Sequence, residues 1–278
     1  MKISIITVCL NEQDTIEDTF LSIFNQTYEN FELIVIDGSS TDDTIEIINK
    51  YKDKISHFVS EPDNGIYNAM NKGIKAANGD FLIFLNANDV FYDEYVLEKI
   101  AKASIESPEA KILFGDSDYI SIDKRDSKIK KIDNIKNEFS LAFENICHQS
   151  VFYHKSLFEK FGNYCEKLKI YADWDFNINC LVKNKVSALY LDIVISKFQL
   201  GGICSSPKNK NVCKTERECL LKKYYPKFAA LITIHDFCER KLGTIYKFLL
   251  KISSIQKVAD SFTNQDKYKL NLVIRERS

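Results

Sequence analysis

The sequence has 278 residues and a net charge of −1, and hydrophobic residues make up 45% of it. This length and apolar content suffice for a sizeable core and favour one large domain with an appendage. The near-zero charge gives no overall field that would attract nucleic acid. No uncharged apolar stretch is long enough for a signal peptide or a membrane span, so we expect a cytoplasmic protein without a nucleic-acid partner.

Strand and helix patterns alternate through the first half of the chain. Apolar runs predict four strands, and amphipathic spacing predicts three helices between them. In chain order the predicted elements are a strand at Ile3–Val8, a helix at Asp14–Phe24, a strand at Phe31–Ile36, a helix at Asp42–Tyr51, a strand at Ile55–Val59, a helix at Ile66–Ala77 and a strand at Phe81–Leu85. This alternation predicts an α/β fold with a parallel sheet flanked by helices.

The second half has a less regular pattern. Ile112–Ile122 predicts one or two strands, and Val186–Leu191 and Ile193–Phe198 predict two short ones. The charged segment Asp123–Lys136 favours a solvated hairpin or loop, with a basic flap over a phosphate as the alternative. From about residue 211 the pattern becomes helical.

Each of the four predicted strands in the first half is followed by a polar loop. The loops are Asn11–Glu12, Asp37–Asp42, Glu61–Gly65 and Asn86–Asp89. Helix capping explains any one loop by itself, and Thr41 or Asp42 is expected to cap the following helix. Because the carboxyl ends of parallel strands meet at one edge of a sheet, the four loops together predict a ligand site there.

These loops lack the glycine-rich sequences that bind phosphates in nicotinamide enzymes and P-loop phosphotransferases. Acidic loops can accommodate an anionic ligand through a divalent cation, which takes oxygen ligands. Asp37 suits a neutral part of the ligand, since a carboxylate accepts from a nucleobase N–H or a ribose hydroxyl. A nucleotidyltransferase is disfavoured because Thr7–Asp14 contains no Gly, Lys or Arg for a triphosphate.

Several segments together resemble the family 2 glycosyltransferases. They are Ile5–Asn11, Ile36–Thr44, Ser60–Gly73, Gly79–Asp80, Leu85–Asp89, His148–Gln149, Ala172–Asp175 and Gly201–Gly202. The run Glu61–Gly73 is the most specific and is similar to a branch of colanic-acid-type bacterial polysaccharide transferases. The resemblance extends over roughly residues 1–205.

The resemblance implies the GT-A fold, which is a single Rossmann-like, mostly parallel sheet flanked by helices. A catalytic domain is then expected over residues 1–210, with a nucleotide-binding half at 1–90 and an acceptor-binding half at 91–210. Residues 211–278 are expected to form a C-terminal helical extension.

The resemblance also implies an activity and residue roles. The activity is inverting transfer of a hexosyl or N-acetylhexosaminyl group from a nucleotide-diphospho-sugar, UDP-linked, to a hydroxyl of a glycan or lipid-linked acceptor, with Mg²⁺ or Mn²⁺. Asp173 matches the general base, and Asp89 matches the carboxylate nearest the metal. The implied nucleotide-binding residues are Val8, Asn11, Asp37, Asp63, Asn86 and Asn88.

Two departures from the family pattern bear on these roles. Asn86 and Asn88 stand where acidic residues are expected in the metal-binding DXD turn, which weakens the expected hold on a metal. Ala172 stands where the family's ED motif has Glu, which leaves Asp173 alone. A non-catalytic nucleotide-sugar-binding homologue is therefore an alternative.

Four further residues are candidates for contact with the acceptor or the donor sugar: Asp116, His148, Trp174 and Asp175. Each has a structural alternative. A lone His is often structural, and Trp174 with Phe176 can be core aromatics while Asp173 caps a helix. Asp175 is the alternative base. Gly201–Gly202 is either a closing loop or a turn.

The segment Phe228–Ile252 mixes apolar residues with Arg and Lys. A helix packed on the core or on another subunit is one interpretation. The other is a basic amphipathic helix on the inner face of the plasma membrane, which would suit a lipid-linked acceptor.

Overall fold

The fold was analysed in a computed structural model, which describes residues 1–121, 125–132, 135, 138–202, 206–227, 229 and 270–275. The strands are β1 (Ile3–Cys9), β2 (Phe31–Asp37), β3 (His57–Ser60), β4 (Phe81–Phe84), β5 (Val90–Phe91), β6 (Ile112–Ile120), β7 (Ser127–Lys130), β8 (Val151–His154), β9 (Ala188–Gln199) and β10 (Leu272–Arg275). The helices are α1 (Ile16–Phe24), α2 (Thr44–Lys50), α3 (Ile66–Ala76), α4 (Val96–Glu106), α5 (Glu138–Phe143), α6 (Ser156–Phe161), α7 (Ala172–Ile178) and α8 (Lys210–Tyr224).

The strands form one sheet in the order β10-β9-β6-β8-β4-β1-β2-β3. Neighbours along this path pair in parallel except at β8, which runs antiparallel to both β4 and β6. Two short strands pair off the path, with β5 antiparallel to β9 and β7 antiparallel to β6. The parallel set β3-β2-β1-β4 brings the carboxyl ends of the first four predicted strands to one edge, as the alternating pattern predicts.

Both faces of the central strands are covered, which explains why β1, β2 and β4 are mostly apolar and buried along nearly their whole length. Alternate residues of β1 enter two separate cores. Ile6 and Val8 pack in the core with α3 and α7, whereas Ile5 and Cys9 pack in the core with α1 and α4. Successive side chains of a strand point to opposite faces of the sheet. Because both faces are buried here, β1 contributes to both cores.

The expected pair of short strands over residues 186–198 is corrected by the structure, which has the single strand β9 there. The pairing of β9 with β6 shifts register near Gly115, between the pairs Phe114–Tyr190 and Asp116–Val194. A bulge of this kind absorbs the extra residues without ending the strand.

The C-terminal part contributes to the same core as the sheet. Leu220 and Leu221 of α8 are buried with the residues of α3 and α7, and β10 adds a parallel strand beside β9. The basic segment Phe228–Ile252 lies outside the described residues apart from position 229. Among the helices of the described part, none combines the length and apolar character needed to cross a membrane.

Candidate active site

The first two polar loops are joined by hydrogen bonds at the sheet edge. The Asn11 backbone N–H donates to Ser40 Oγ at 2.8 Å, and Asn11 Oδ1 accepts from the Thr41 N–H at 2.8 Å. Helix α2 begins at Thr44 and its N-cap is Asp43, so the expected cap at Thr41 or Asp42 is wrong by one or two positions. Asp42 still contacts the helix start, because its Oδ1 accepts from the Thr44 N–H at 3.1 Å. Asn11, which is predicted to border the nucleotide, therefore also holds Ser40 and Thr41 of the second loop in place.

Asp37 ends β2 beneath this loop and has no exposed surface. One of its oxygens accepts from the Ser40 N–H at 2.9 Å and from Ser60 Oγ at 2.7 Å. The other accepts from the Ser40 hydroxyl and, at 3.6 Å, from the Cys9 thiol. Its carboxylate therefore organises the pocket wall, and direct contact with a nucleobase requires one of these donors to turn away.

Gly38 allows the second and third loops to meet. A Cβ atom at position 38 would lie 2.7 Å from Asp63 Oδ2, so a larger residue there would require this carboxylate to shift. Asp63 Oδ1 accepts from the Gly65 N–H at 2.8 Å, which fixes the aspartate within its own turn. Asp63 thus lies beside the Asp37 loop, as the shared sheet edge predicts.

The backbone at this edge is unusual. Four non-glycine residues in the described part have positive φ, and three of them lie in these loops: Asn11 at 56°, Ser39 at 67° and Asn88 at 80°. Such conformations cost energy and concentrate at binding sites, where the surrounding structure maintains them. The geometry supports the site location predicted from the sequence.

The fourth loop places Asp89 deep in the edge, with 5% of its surface exposed. Burial raises the pKa of Asp89 to about 7, although nearby His148 and a hydrogen bond from Gln149 act to lower it. Asn86 Nδ2 lies 3.0 Å from His148 Nε2, while Asn86 Oδ1 is buried and has no hydrogen-bond partner. The loop thus presents one carboxylate and one uncommitted amide oxygen.

His148 links this loop to Asp173. Its Nδ1 lies 3.3 Å from Asp173 Oδ2, and Asn145 Nδ2 donates to the same oxygen at 3.1 Å. Because the Asn86 amide nitrogen can only donate, these two contacts correspond to the His148 tautomer that accepts at Nε2 and donates from Nδ1 to Asp173. The fourth loop and the predicted base are therefore joined through a single imidazole.

The other oxygen of Asp173 is also bound. Asp173 Oδ1 accepts from the Trp174 N–H at 2.7 Å and lies 3.1 Å from the Tyr67 hydroxyl. Asp173 is the second residue of α7 and does not occupy the cap position, which is Tyr171. The carboxylate is held in orientation by contacts with Trp174, Tyr67, Asn145 and His148, and the contact with His148 is the longest of the four.

Three predicted contact residues point to other partners. Asp116 is buried, and one of its oxygens accepts from the Ile132 N–H at 2.9 Å and from Tyr190 at 3.0 Å. Trp174 is 1% exposed and donates from its indole nitrogen to Leu141 O at 2.7 Å. Asp175 pairs with Lys223 of α8 at 2.7 Å. These contacts favour structural roles for Trp174 and Asp175. The second oxygen of Asp116 is buried without a hydrogen-bond partner, so its contact with a sugar stays a prediction.

Three residues that contact Asp173 or Asp89 were not predicted from the sequence. Tyr67 lies inside the specific run Glu61–Gly73, and Gln149 is half of a motif pair, so both carried a signal. Asn145 carried none, because a single Asn outside any motif is indistinguishable from a surface residue. Its place beside Asp173 follows from the tertiary fold, which brings positions 28 residues apart together.

Metal binding rests on few side chains. In the described part of the chain, no three His, Cys, Asp or Glu side chains cluster as a metal site. The ligands that this edge offers are the Asp89 carboxylate and the unpartnered Asn86 Oδ1. Two oxygens of this kind fit a hard cation that takes its remaining ligands from phosphates and water.

The sequence matches the family described as Glycosyl transferase family 2 over residues 4–162, which is more than half of the chain. The chain therefore belongs to this family. A PGL/p-HBAD biosynthesis glycosyltransferase of Mycobacterium bovis is 32% identical over 215 residues, covering 76% of this chain and 82% of that protein. An uncharacterized glycosyltransferase of Haemophilus influenzae is 31% identical over 227 residues, covering 77% and 85% respectively.

Solved structures share the fold at lower identity. S. aureus TarS in complex with UDP-GlcNAc has a TM-score of 0.63 at 17% identity, covering 96% of this chain and 77% of that chain. In another TarS structure the match covers 81% of this chain and 66% of that one, just under two thirds. A mannosyltransferase from Pyrobaculum calidifontis in complex with GDP-Man and Mn²⁺ has a TM-score of 0.56 at 14% identity, covering 95% and 88%. The predicted GT-A fold is confirmed.

Asp89→Asn is expected to stabilise the ligand-free protein at pH 8 and to have little effect near pH 4. The folded-state pKa of Asp89 is about 7 and exceeds the unfolded value, so wild-type stability falls as pH rises from about 4 to about 7. Asn removes this penalty and still accepts from Gln149. Thermal unfolding across this pH range should show the variant's Tm several degrees higher above pH 7.

The control is Asp53→Asn, which makes the same change at an exposed position in the turn Lys52–Lys54. This control should leave the pH dependence of Tm as in wild type. A Tm difference between Asp89→Asn and wild type that stays constant from pH 4 to pH 8 would contradict the buried, partly protonated state of Asp89.

Proposed function

We propose that the protein is an inverting glycosyltransferase. It moves a sugar, of the hexosyl or N-acetylhexosaminyl class, from a UDP-sugar to a hydroxyl of a glycan or lipid-linked acceptor. One observation carries this proposal: the contact chain Asn86–His148–Asp173 joins the nucleotide-binding edge to a buried carboxylate. A transferase needs these two parts side by side.

Asp173 is the proposed general base. The acceptor hydroxyl oxygen forms a bond to the anomeric carbon, its proton passes to Asp173, and the bond to the nucleoside diphosphate breaks. Such base assistance contributes roughly 10²–10⁴-fold. The hydroxyl reaches Asp173 Oδ2 by replacing the longest contact, that of His148 at 3.3 Å. Direct displacement inverts the anomeric centre.

The nucleotide is proposed to lie over the first three loops, along Val8, Asn11, Asp37 and Asp63. Their shared edge, the positive φ angles and the narrow space at Gly38 support this placement. The diphosphate would then extend toward Asn86, Asn88 and Asp89. A divalent cation, Mg²⁺ or Mn²⁺, would neutralise the charge that develops on the leaving group. Asp89 and Asn86 Oδ1 would hold it, together with phosphate and water oxygens.

The proposed cellular role is based in part on the descriptions of the relatives. The Mycobacterium bovis protein is described as acting in PGL/p-HBAD biosynthesis. We propose that this chain acts on a bacterial surface glycan, at the cytoplasmic side, with peripheral membrane contact through residues 228–252 if the acceptor is lipid-linked. The colanic-acid-type branch stays a prediction, carried by the run Glu61–Gly73.

The second candidate is a non-catalytic nucleotide-sugar-binding protein. It is favoured by the two amides at positions 86 and 88 of the metal-binding turn. Both candidates are expected to bind a UDP-sugar, but only the enzyme is expected to transfer the sugar and release UDP.

A donor screen tests the proposal. Thermal shift with a panel of UDP-sugars, with and without Mn²⁺, identifies the donor, and UDP release with a panel of glycan and lipid-linked acceptors measures turnover. We expect one donor to raise Tm more strongly with Mn²⁺ than without it, and to release UDP. Donor binding without UDP release under any of these conditions would favour the non-catalytic candidate.

A further inference from the structure

Helix α8 lies beyond the segment matched to the family, which ends at residue 162, yet it contacts the loop that precedes Asp173. Glu216 of this helix is only 8% exposed. Its carboxylate accepts from three consecutive backbone N–H groups: Lys169 at 2.6 Å, Ile170 at 3.0 Å and Tyr171 at 3.1 Å. These three residues come directly before α7, the helix that carries Asp173.

This arrangement fixes the backbone on which the proposed base stands. Hydrogen bonds from backbone N–H groups to an ionised carboxylate are about twice as strong as neutral ones, and three on one side chain define both position and orientation. On the opposite side of the same segment, the Tyr67 hydroxyl donates to Ile170 O at 2.6 Å and lies against Asp173. The loop is therefore held between Glu216 and Tyr67.

Neighbouring residues of α8 hold the adjoining part of α7. The Arg217 guanidinium lies 5.1 Å from the centre of the Trp174 ring, and its Nη2 donates to Ala142 O at 3.1 Å. Lys223 pairs with Asp175 at 2.7 Å. Residues 169–175 are thus fastened to α8 at several points, on both sides of Asp173.

We infer that Glu216 is a positioning residue for Asp173, and that α8 thereby helps to set the geometry of the catalytic centre. The catalytic part of this inference rests on the proposed function. A displacement of about 1 Å at a reacting group can lower a rate about 10²-fold, so loosening this loop should reduce turnover without touching the nucleotide. The sequence does not reveal this role, because Glu216 belongs to no motif of the family.

The test compares Glu216→Gln with Glu218→Gln, the same change two residues further along α8, where Glu218 is 39% exposed and faces Lys214. We expect Glu216→Gln to lower kcat by about 10–100-fold with the Kd for the UDP-sugar unchanged, and Glu218→Gln to match wild type. Glu216→Asp keeps the charge with a shorter reach and should give an intermediate kcat. It also serves if Glu216→Gln does not fold.

Trp174 gives a second readout that does not depend on activity. It is the chain's one tryptophan and follows Asp173 directly, so its fluorescence reports on this segment. Glu216→Gln should shift the emission, whereas Glu218→Gln should not. Equal emission and equal kcat in the two variants would overturn the inference. A wild type without turnover, combined with a shifted emission in Glu216→Gln, would contradict the proposed function but keep the structural part of the inference.

Discussion

Replacing Asp173 with Asn is expected to lower kcat by about 10²–10⁴-fold while leaving the Kd for the UDP-sugar unchanged. The change removes the proton acceptor but keeps the shape of the side chain. The Asn oxygen can still accept from the Trp174 N–H, as Asp173 Oδ1 does at 2.7 Å. Steady-state turnover gives kcat, and calorimetry gives the Kd for the UDP-sugar.

The same experiment separates the two candidate bases. Asp175→Asn removes the charge that pairs with Lys223 and weakens the hydrogen bond from Tyr224, and both contacts fasten α7 to α8. We expect a loss of stability and a kcat within about tenfold of wild type, since this carboxylate contacts Lys223 and Tyr224 of α8. A large loss of kcat in Asp175→Asn, with full kcat in Asp173→Asn, would assign the base to Asp175 instead.

Trp174→Ala is expected to destabilise the protein by about 3–5 kcal/mol. Trp174 is 1% exposed, lies against Tyr171 and Arg217, and its indole N–H satisfies Leu141 O at 2.7 Å. The substitution leaves a cavity and a buried carbonyl without its donor. Urea denaturation measures the loss, which is a large share of the stability of a typical domain.

Trp174→Phe is the matched variant, because it keeps an aromatic ring and removes only the indole N–H and part of the volume. We expect it to cost less than Trp174→Ala. If Trp174 instead contacts a sugar, Trp174→Ala would retain wild-type stability and lose substrate affinity. That outcome would contradict the packing role seen in the structure.

The nucleotide-binding half was largely predictable from the sequence. Its strands and helices follow strong local patterns in the sequence, and each functional loop comes directly after a strand of the parallel set. Position along the chain therefore fixes position in space, since parallel strands end at a common edge. Asp63 lies beside Gly38 for this reason, although 25 residues separate them in the chain.

The surroundings of Asp173 were not predictable in the same way. Its partners Tyr67 and Asn145 come from positions 106 and 28 residues away. Glu216 is a charged residue in a polar helix, which normally indicates a solvated face. Only the tertiary structure shows that three backbone N–H groups converge on it and permit its burial.

Two sequence-based interpretations changed for related reasons. Trp174 and Asp175 were candidate substrate contacts because they adjoin the predicted base in the chain. In a helix, adjacent residues point about 100° apart, so neighbours of a functional residue face other surroundings. Here those surroundings are the core and α8.

The most direct test of the central claim is a crystal structure of the protein with UDP and Mn²⁺. We predict that the uridine lies over the loops of Asn11, Asp37 and Asp63, and that the diphosphate and metal lie beside Asp89. We also predict that Asp173 stays within its contacts to His148 and Tyr67. A nucleotide bound elsewhere on the protein, or a metal held without Asp89, would contradict the central claim.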